Sequence, residues 1–164
     1  LRAPSRNLFP KKLSDLLWYL IHYPDQTQEY LSDIDPSIFS EDIREPQLLF
    51  AMAMLMQGTS LDEILPELSS EHFRSLLLQL AVEEGLYSDD EEKIRLGIQG
   101  LIWRYQSQQL TQNRRVLQSE IVQLGAKGEM EQLILKMKEL QNLQKEIENL
   151  QKKIQGIKNT EEVL

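Results

Sequence analysis

Cysteine is absent from the 164 residues, which removes disulfide scaffolds, zinc ribbons, thiol nucleophiles and iron–sulfur ligation together and fits a reducing, cytoplasmic setting. Histidine is nearly absent, with only His22 and His72, fifty residues apart. Glycine and proline are sparse at 7 and 6, and no apolar run approaches the roughly 20 residues that a membrane-spanning helix needs. The first ten residues, starting at Leu1, hold no apolar core of signal-peptide length, so the chain is expected to be a cytoplasmic segment of a longer protein. Basic residues are also in deficit, 18 against 26 acidic ones, for a net charge of −8 that repels a phosphate backbone. The deficit is one-sided: residues 1–90 hold 6 basic and 16 acidic side chains (net −10), whereas 91–164 hold 12 and 10 (net +2). Two surfaces of different character are implied.

What is present reads as helix throughout. Residues 10–23 place Leu13, Leu16, Leu17, Leu20 and Ile21 at helical spacing behind Pro10, and Pro24 stops the run. Asp25 with Gln28 suggests a capping box for a short helix to Leu31, and Asp35-Pro36 starts a single turn with Ile38 and Phe39 pointing inward. Pro46 opens a Leu-, Met- and Ala-rich stretch, apolar nearly all round, expected to be a central buried helix ended by Gly58, with Met52, Met54 and Met56 as core. Ser60 with Glu63 and Ser88 with Glu91 suggest two more capping boxes. Between them Ser69 and Ser70 precede a helix that Gly85 should stop.

Beyond Ser88 the punctuation thins, and two long helices are expected, at about 89–124 and 128–155. The second would be about 42 Å long at roughly 1.5 Å per residue. Leu133, Leu140, Ile147 and Ile154 recur every seven residues, with a flanking column running from Met130 and Met137 to Leu143, Leu150 and Ile157. Trp103, Leu110, Leu117 and Leu124 recur likewise on the preceding helix, with Ile121 between. Gly125 and Gly128 bracket only Ala126 and Lys127, so the chain should reverse there into an antiparallel hairpin. The polar stretch between Tyr105 and Val116 forms a waist: Ile94, Ile98, Leu101 and Ile102 before it should pack on the N-terminal bundle, and the residues after it serve the hairpin. The fold class is therefore all-α, a helical bundle over 1–100 and a helical hairpin over 101–164 that share the long helix. A two-helix hairpin is marginal alone, so it should move relative to the bundle or complete its burial on another protein.

Catalytic signatures are missing: there is no phosphate loop, GxGxxG, GxSxG or HExxH. Asp33-Ile34-Asp35 is the one DxD, and its place before Pro36 makes a helix cap a better reading than a magnesium site. No catalytic, cofactor or metal residue is assigned. Lys and Arg in the second half alternate with comparable numbers of Glu, the pattern of a solvated coiled-coil surface, and direct nucleic-acid contact is not expected.

Four segments carry a resemblance. LLWYLIHYPD at 16–25, YLSDIDPSIFSEDIREPQLLFAMAML at 30–55, EEKIRLGIQGLIWRYQSQQLTQNRRVLQSEI at 91–121 and KGEMEQLILKMKELQNLQKEIENLQKKI at 127–154 follow one another in the order seen in the C-terminal, helicase-interacting domain of bacterial DNA primase, which the chain resembles over most of its length. The resemblance implies a monomeric bundle-plus-hairpin module. Its hairpin would dock on the N-terminal domains of the ring-shaped replicative helicase while the bundle modulates that helicase. Primer synthesis would lie upstream, in a zinc-binding domain and a carboxylate-rich core, so this segment would be non-catalytic and need no cofactor. Polar positions flanking the turn, Arg114, Arg115, Gln118, Lys127, Glu129, Gln132, Lys136 and Glu139, are then the expected helicase contacts, against the plain alternative that each is a solvated face residue. A different class of reading, a coiled-coil oligomerisation or scaffold segment, predicts self-association, and the drift of the flanking column away from a strict seven-residue repeat argues against it.

Overall fold

A computed structural model describes residues 10–32, 34–84 and 88–163, with side chains through Thr160. Among these there is no strand. Seven helices follow in order: α1 (Lys11–His22), α2 (Pro24–Leu31), α3 (Pro46–Met56), α4 (Leu61–Ile64), α5 (Glu71–Val82), α6 (Glu91–Lys127) and α7 (Met130–Val163), with 3-10 turns at Pro36–Phe39 and Leu65–Glu67. No helix among the described residues is long and apolar enough to cross a membrane. The chain divides into two compact units, Leu1–Ile102 and Trp103–Leu164, and α6 contributes to both.

In the first unit α1 is the hub, packing on α2, α3 and α5. Its core is a column of Leu13, Leu16, Leu17 and Leu20 with Trp18, all almost fully buried. Of the α6 residues in this unit, Ile94, Leu96, Ile98, Leu101 and Ile102 are buried as well. Gly97 lets α6 come close to α1: a Cβ there would overlap the Tyr19 hydroxyl and lie 3.0 Å from the ring carbon that bears it. Thr27 is a fully buried polar residue whose hydroxyl, 3.1 Å from the Tyr19 carbonyl and 2.7 Å from that of Tyr23, ties the start of α2 to the end of α1. The end of α5 is held from α1. Trp18 Nε1 donates to the Glu83 carbonyl at 2.8 Å, His22 Nε2 lies 2.9 Å from the Leu80 carbonyl, and the two rings stack with centroids 4.1 Å apart. Carbonyls that the helix end leaves without intrahelical donors are met this way, which gives His22 a structural role.

Several local expectations shift. Pro24 both ends α1 and opens α2, so Tyr23 rather than Asp25 is the N-cap, and Gln28 reaches the Leu55 carbonyl at 3.4 Å instead of closing a capping box. Asp35 does cap its turn, accepting from the Ser37 N–H at 2.9 Å, and that bond holds its carboxyl below the usual range; Asp33 lies outside the described residues. Ser60 occupies the N-cap position of α4 without a side-chain bond. Ser70 caps α5 through the Phe73 N–H, which ends at Val82; the expected stop, Gly85, lies outside the described residues. At the start of α6 the cap is Asp90, accepting from Glu92 N–H at 3.0 Å, while Ser88 accepts from Asp90 N–H one step earlier at 3.1 Å. α3 is one-sided rather than buried all round: Leu48, Ala51, Met52, Leu55 and Met56 face the core, Met54 is half-buried and Phe50 is exposed.

The second unit is an antiparallel helix pair. α6 continues through Gly125, Ala126 and Lys127, so the corner is Gly128-Glu129 alone, tighter than the four-residue corner expected. Gly128 has φ +73, and the Glu129 N–H bonds the Leu124 carbonyl at 3.2 Å. A left-handed residue followed by this six-to-one bond is a Schellman ending.

Candidate docking surface

Three contacts between α6 and α7 set the register, and each is nearly symmetric about Gly128. Trp103 and Lys153 are 25 residues to either side, with Lys153 Nζ 5.7 Å from the ring centroid. Arg114 and Gln144 are 14 and 16 residues away and hydrogen-bond at 3.3 Å. Glu120 and Lys136 are 8 residues to either side and pair at 3.4 Å. Residues equally distant from Gly128 therefore face one another across the pair.

Two grooves run along opposite sides of the seam. One, of about 500 Å³, brings Val116, Leu117 and Glu120 of α6 together with Lys136, Glu139 and Leu143 of α7. Lys136 is shared by Glu120 and by Glu139, 3.5 Å away, and the two carboxylates, Glu139 foremost, hold its ammonium above the usual lysine range. The other groove, of about 640 Å³, joins Gln118 to Leu140, Gln141, Gln144 and Lys145. Three carboxylates, Glu120, Glu139 and Glu146, border the first groove, and only Glu148 borders the second.

The eight expected contacts divide between these sides. Gln132, Lys136 and Glu139, at i, i+4 and i+7, share the side of the Glu120 groove, where Lys136 and Glu139 are engaged within the hairpin itself. Arg115 and Gln118 are exposed on the Gln118 side, and half-buried Arg114 reaches Gln144 there. Lys127 closes α6 and Glu129 stands in the corner, both exposed. The eight are therefore not one patch.

Leu117, Ile147, Leu150 and Ile157 are buried, each at least eleven residues from Gly128, whereas Leu124 and Leu133 beside the corner are half-buried, as are Leu110, Leu140, Leu143 and Ile154 farther out. Met130 and Met137, at the head of the flanking column, are 62% and 49% exposed, because two helices can each cover only one stripe of the other and the described residues of this unit supply no third helix. With them Val122 is 71% and Ile134 48% exposed, and Val116 and Leu135 are exposed too. Among the described residues of this unit, the six exposed large apolar side chains all fall within 116–137, none of them in 103–115 or 138–160. The seven-residue count hid these positions; the signal that could have found them is that the apolar columns outnumber the stripes two helices can hide.

Among the described residues no group of three or more His, Asp or Glu side chains is placed to hold a metal ion. No family model, curated protein or solved structure matches the chain.

Proposed function

We propose that this chain is a non-catalytic interaction module of a bacterial replication primase, docking through its hairpin on the N-terminal domains of the hexameric replicative helicase and so coupling primer synthesis to unwinding in the cytoplasm. The observation that carries the reading is that, among the described residues of the hairpin, the exposed large apolar side chains are confined to its corner half. Large apolar side chains clustered on a surface cost solubility and are kept where a partner covers them. The element order and the contrast between an acidic N-terminal part and a near-neutral hairpin support the same reading. Titration of the whole chain against a purified bacterial replicative helicase hexamer, followed by fluorescence anisotropy, tests it. Binding in the micromolar range or tighter is expected, and no binding there overturns the proposal. A scaffold role through self-association would use the same apolar residues, and sedimentation showing a mass that rises with concentration would favour it instead.

A further inference from the structure

We infer that the Gln118 side of the hairpin is the seat of a partner helix whose apolar ridge is flanked by carboxylates. This rests on reading the hairpin as a docking element and not on the identity of the helicase. Met130, Ile134 and Met137 recur at i, i+4 and i+7, which sets them on one side of α7, and the next positions of that row, Gln141 and Gln144, line the groove beside Gln118. On α6, Val122 follows Gln118 by one turn, and it stands six residues before Gly128 as Ile134 stands six after. The exposed apolar residues therefore span both helices at the same height. That is the furrow into which a third helix packs in a bundle. The opposite side lacks this: its exposed Val116 and Leu135 stand twelve and seven residues from Gly128, at different heights.

Charge selects the occupant. Arg115 lies one turn before Gln118 and Lys145 borders the groove, while Lys138, one turn after Ile134, is matched by Glu131 one turn before Ile134, and Glu148 is the lone carboxylate among the lining residues. A helix flanked by lysines meets repulsion here, and one flanked by carboxylates finds apolar contact and opposite charge together. A second copy fits less well, because a two-fold pairing lays a face on itself and would bring this cationic rim against its own image.

Two labelled helical peptides with the same Leu ridge, one flanked by Glu and one by Lys, are titrated by anisotropy with the full chain. The Glu-flanked peptide should bind tighter by roughly tenfold or more, a preference that shrinks as salt rises. Ile134→Asp, or Met137→Ser as a milder variant, should weaken it by about tenfold, and Arg115→Glu with Lys138→Glu should reverse the preference. Glu120→Gln with Glu139→Gln on the other side should change it by less than about twofold. Equal or better binding of the Lys-flanked peptide, binding of neither, or equal sensitivity on the two sides overturns the inference. A helicase that fails to bind while the Glu-flanked peptide binds removes the primase reading and leaves this one. Helicase binding indifferent to Ile134→Asp and to the charge reversals does the opposite.

Discussion

Replacing Gly125 and Gly128 by Ala, one at a time, should move stability in opposite directions. Both lie at the end of α6, and a Cβ at either meets nothing within 4 Å, so packing contributes nothing and the backbone decides. Gly125 is helical, where Ala is better by about 0.5–1 kcal/mol. Gly128 sits at φ +73, where an L side chain costs about 1–2 kcal/mol, offset by about 0.4–1 kcal/mol from the stiffer unfolded chain. Gly125→Ala should therefore stabilise, Gly128→Ala should destabilise, and the two should differ by about 0.5–2.6 kcal/mol. For a unit of this size that separates the melting temperatures by roughly 2–20 °C. Thermal and urea unfolding of the whole chain, followed by far-UV circular dichroism and by the combined fluorescence of Trp18 and Trp103, reads the difference. Installing D-Ala at 128 by ligation supplies a control, since the mirror-image residue prefers positive φ and should stabilise. If Gly128→Ala instead stabilises as Gly125→Ala does, the corner is not left-handed and the hairpin geometry is wrong.

Gly97→Ala should destabilise the first unit by about 1–3 kcal/mol, because the new methyl overlaps the Tyr19 hydroxyl. Combined with Tyr19→Phe the loss should be less than additive by about 0.5 kcal/mol or more, and strict additivity in denaturant unfolding would refute the close approach. Lys136 carries a raised pKa through Glu139 and Glu120, so its contribution to the hairpin is fully present below the unfolded value near 10.5 and is lost as pH climbs through the higher folded value. Unfolding measured across that alkaline window should show a small loss in the parent chain, weaker at high salt and absent in Lys136→Met. An equal loss in that variant would assign the effect elsewhere.

Helix positions were legible where proline and glycine punctuate the chain. Pro10, Pro24 and Pro46 each stand at a helix start, and Gly58 and Gly128 stand at positive φ after helix ends. Caps were less legible where candidates crowd. Ser88, Asp89 and Asp90 are all good cap residues, and only the folded backbone shows Asp90 taking the Glu92 N–H. The Asp25–Gln28 pair misled because Pro24, already at the first helical position, moves the cap back to Tyr23. Long-range polar contacts lay beyond any local rule, since Leu80 and Glu83 are 58 and 65 residues from the α1 rings that reach them. The candidate surface was only partly legible: Gly125 and Gly128 marked where the chain reverses, but seven-residue spacing did not say that the Met130 and Met137 column would be left outside the seam, which depends on how many helices are present to cover it.

That arrangement separates what holds the hairpin shut from what it offers. The polar ties between α6 and α7 are exposed or partly exposed, and such contacts contribute about 1 kcal/mol or less each. Closure must come from the corner and from the buried seam, where Ile147 is 1% exposed. A charge at Ile147 would sit in that seam without a partner and open the pair, so lost binding there would say nothing about docking. Ile134 is already half in water, and an aspartate there can keep its carboxylate solvated with the seam intact. Residues that contribute little to closure are thus the ones a partner can cover, and a binding defect at Ile134 or Met137 with an unchanged melting curve reports the docking face itself.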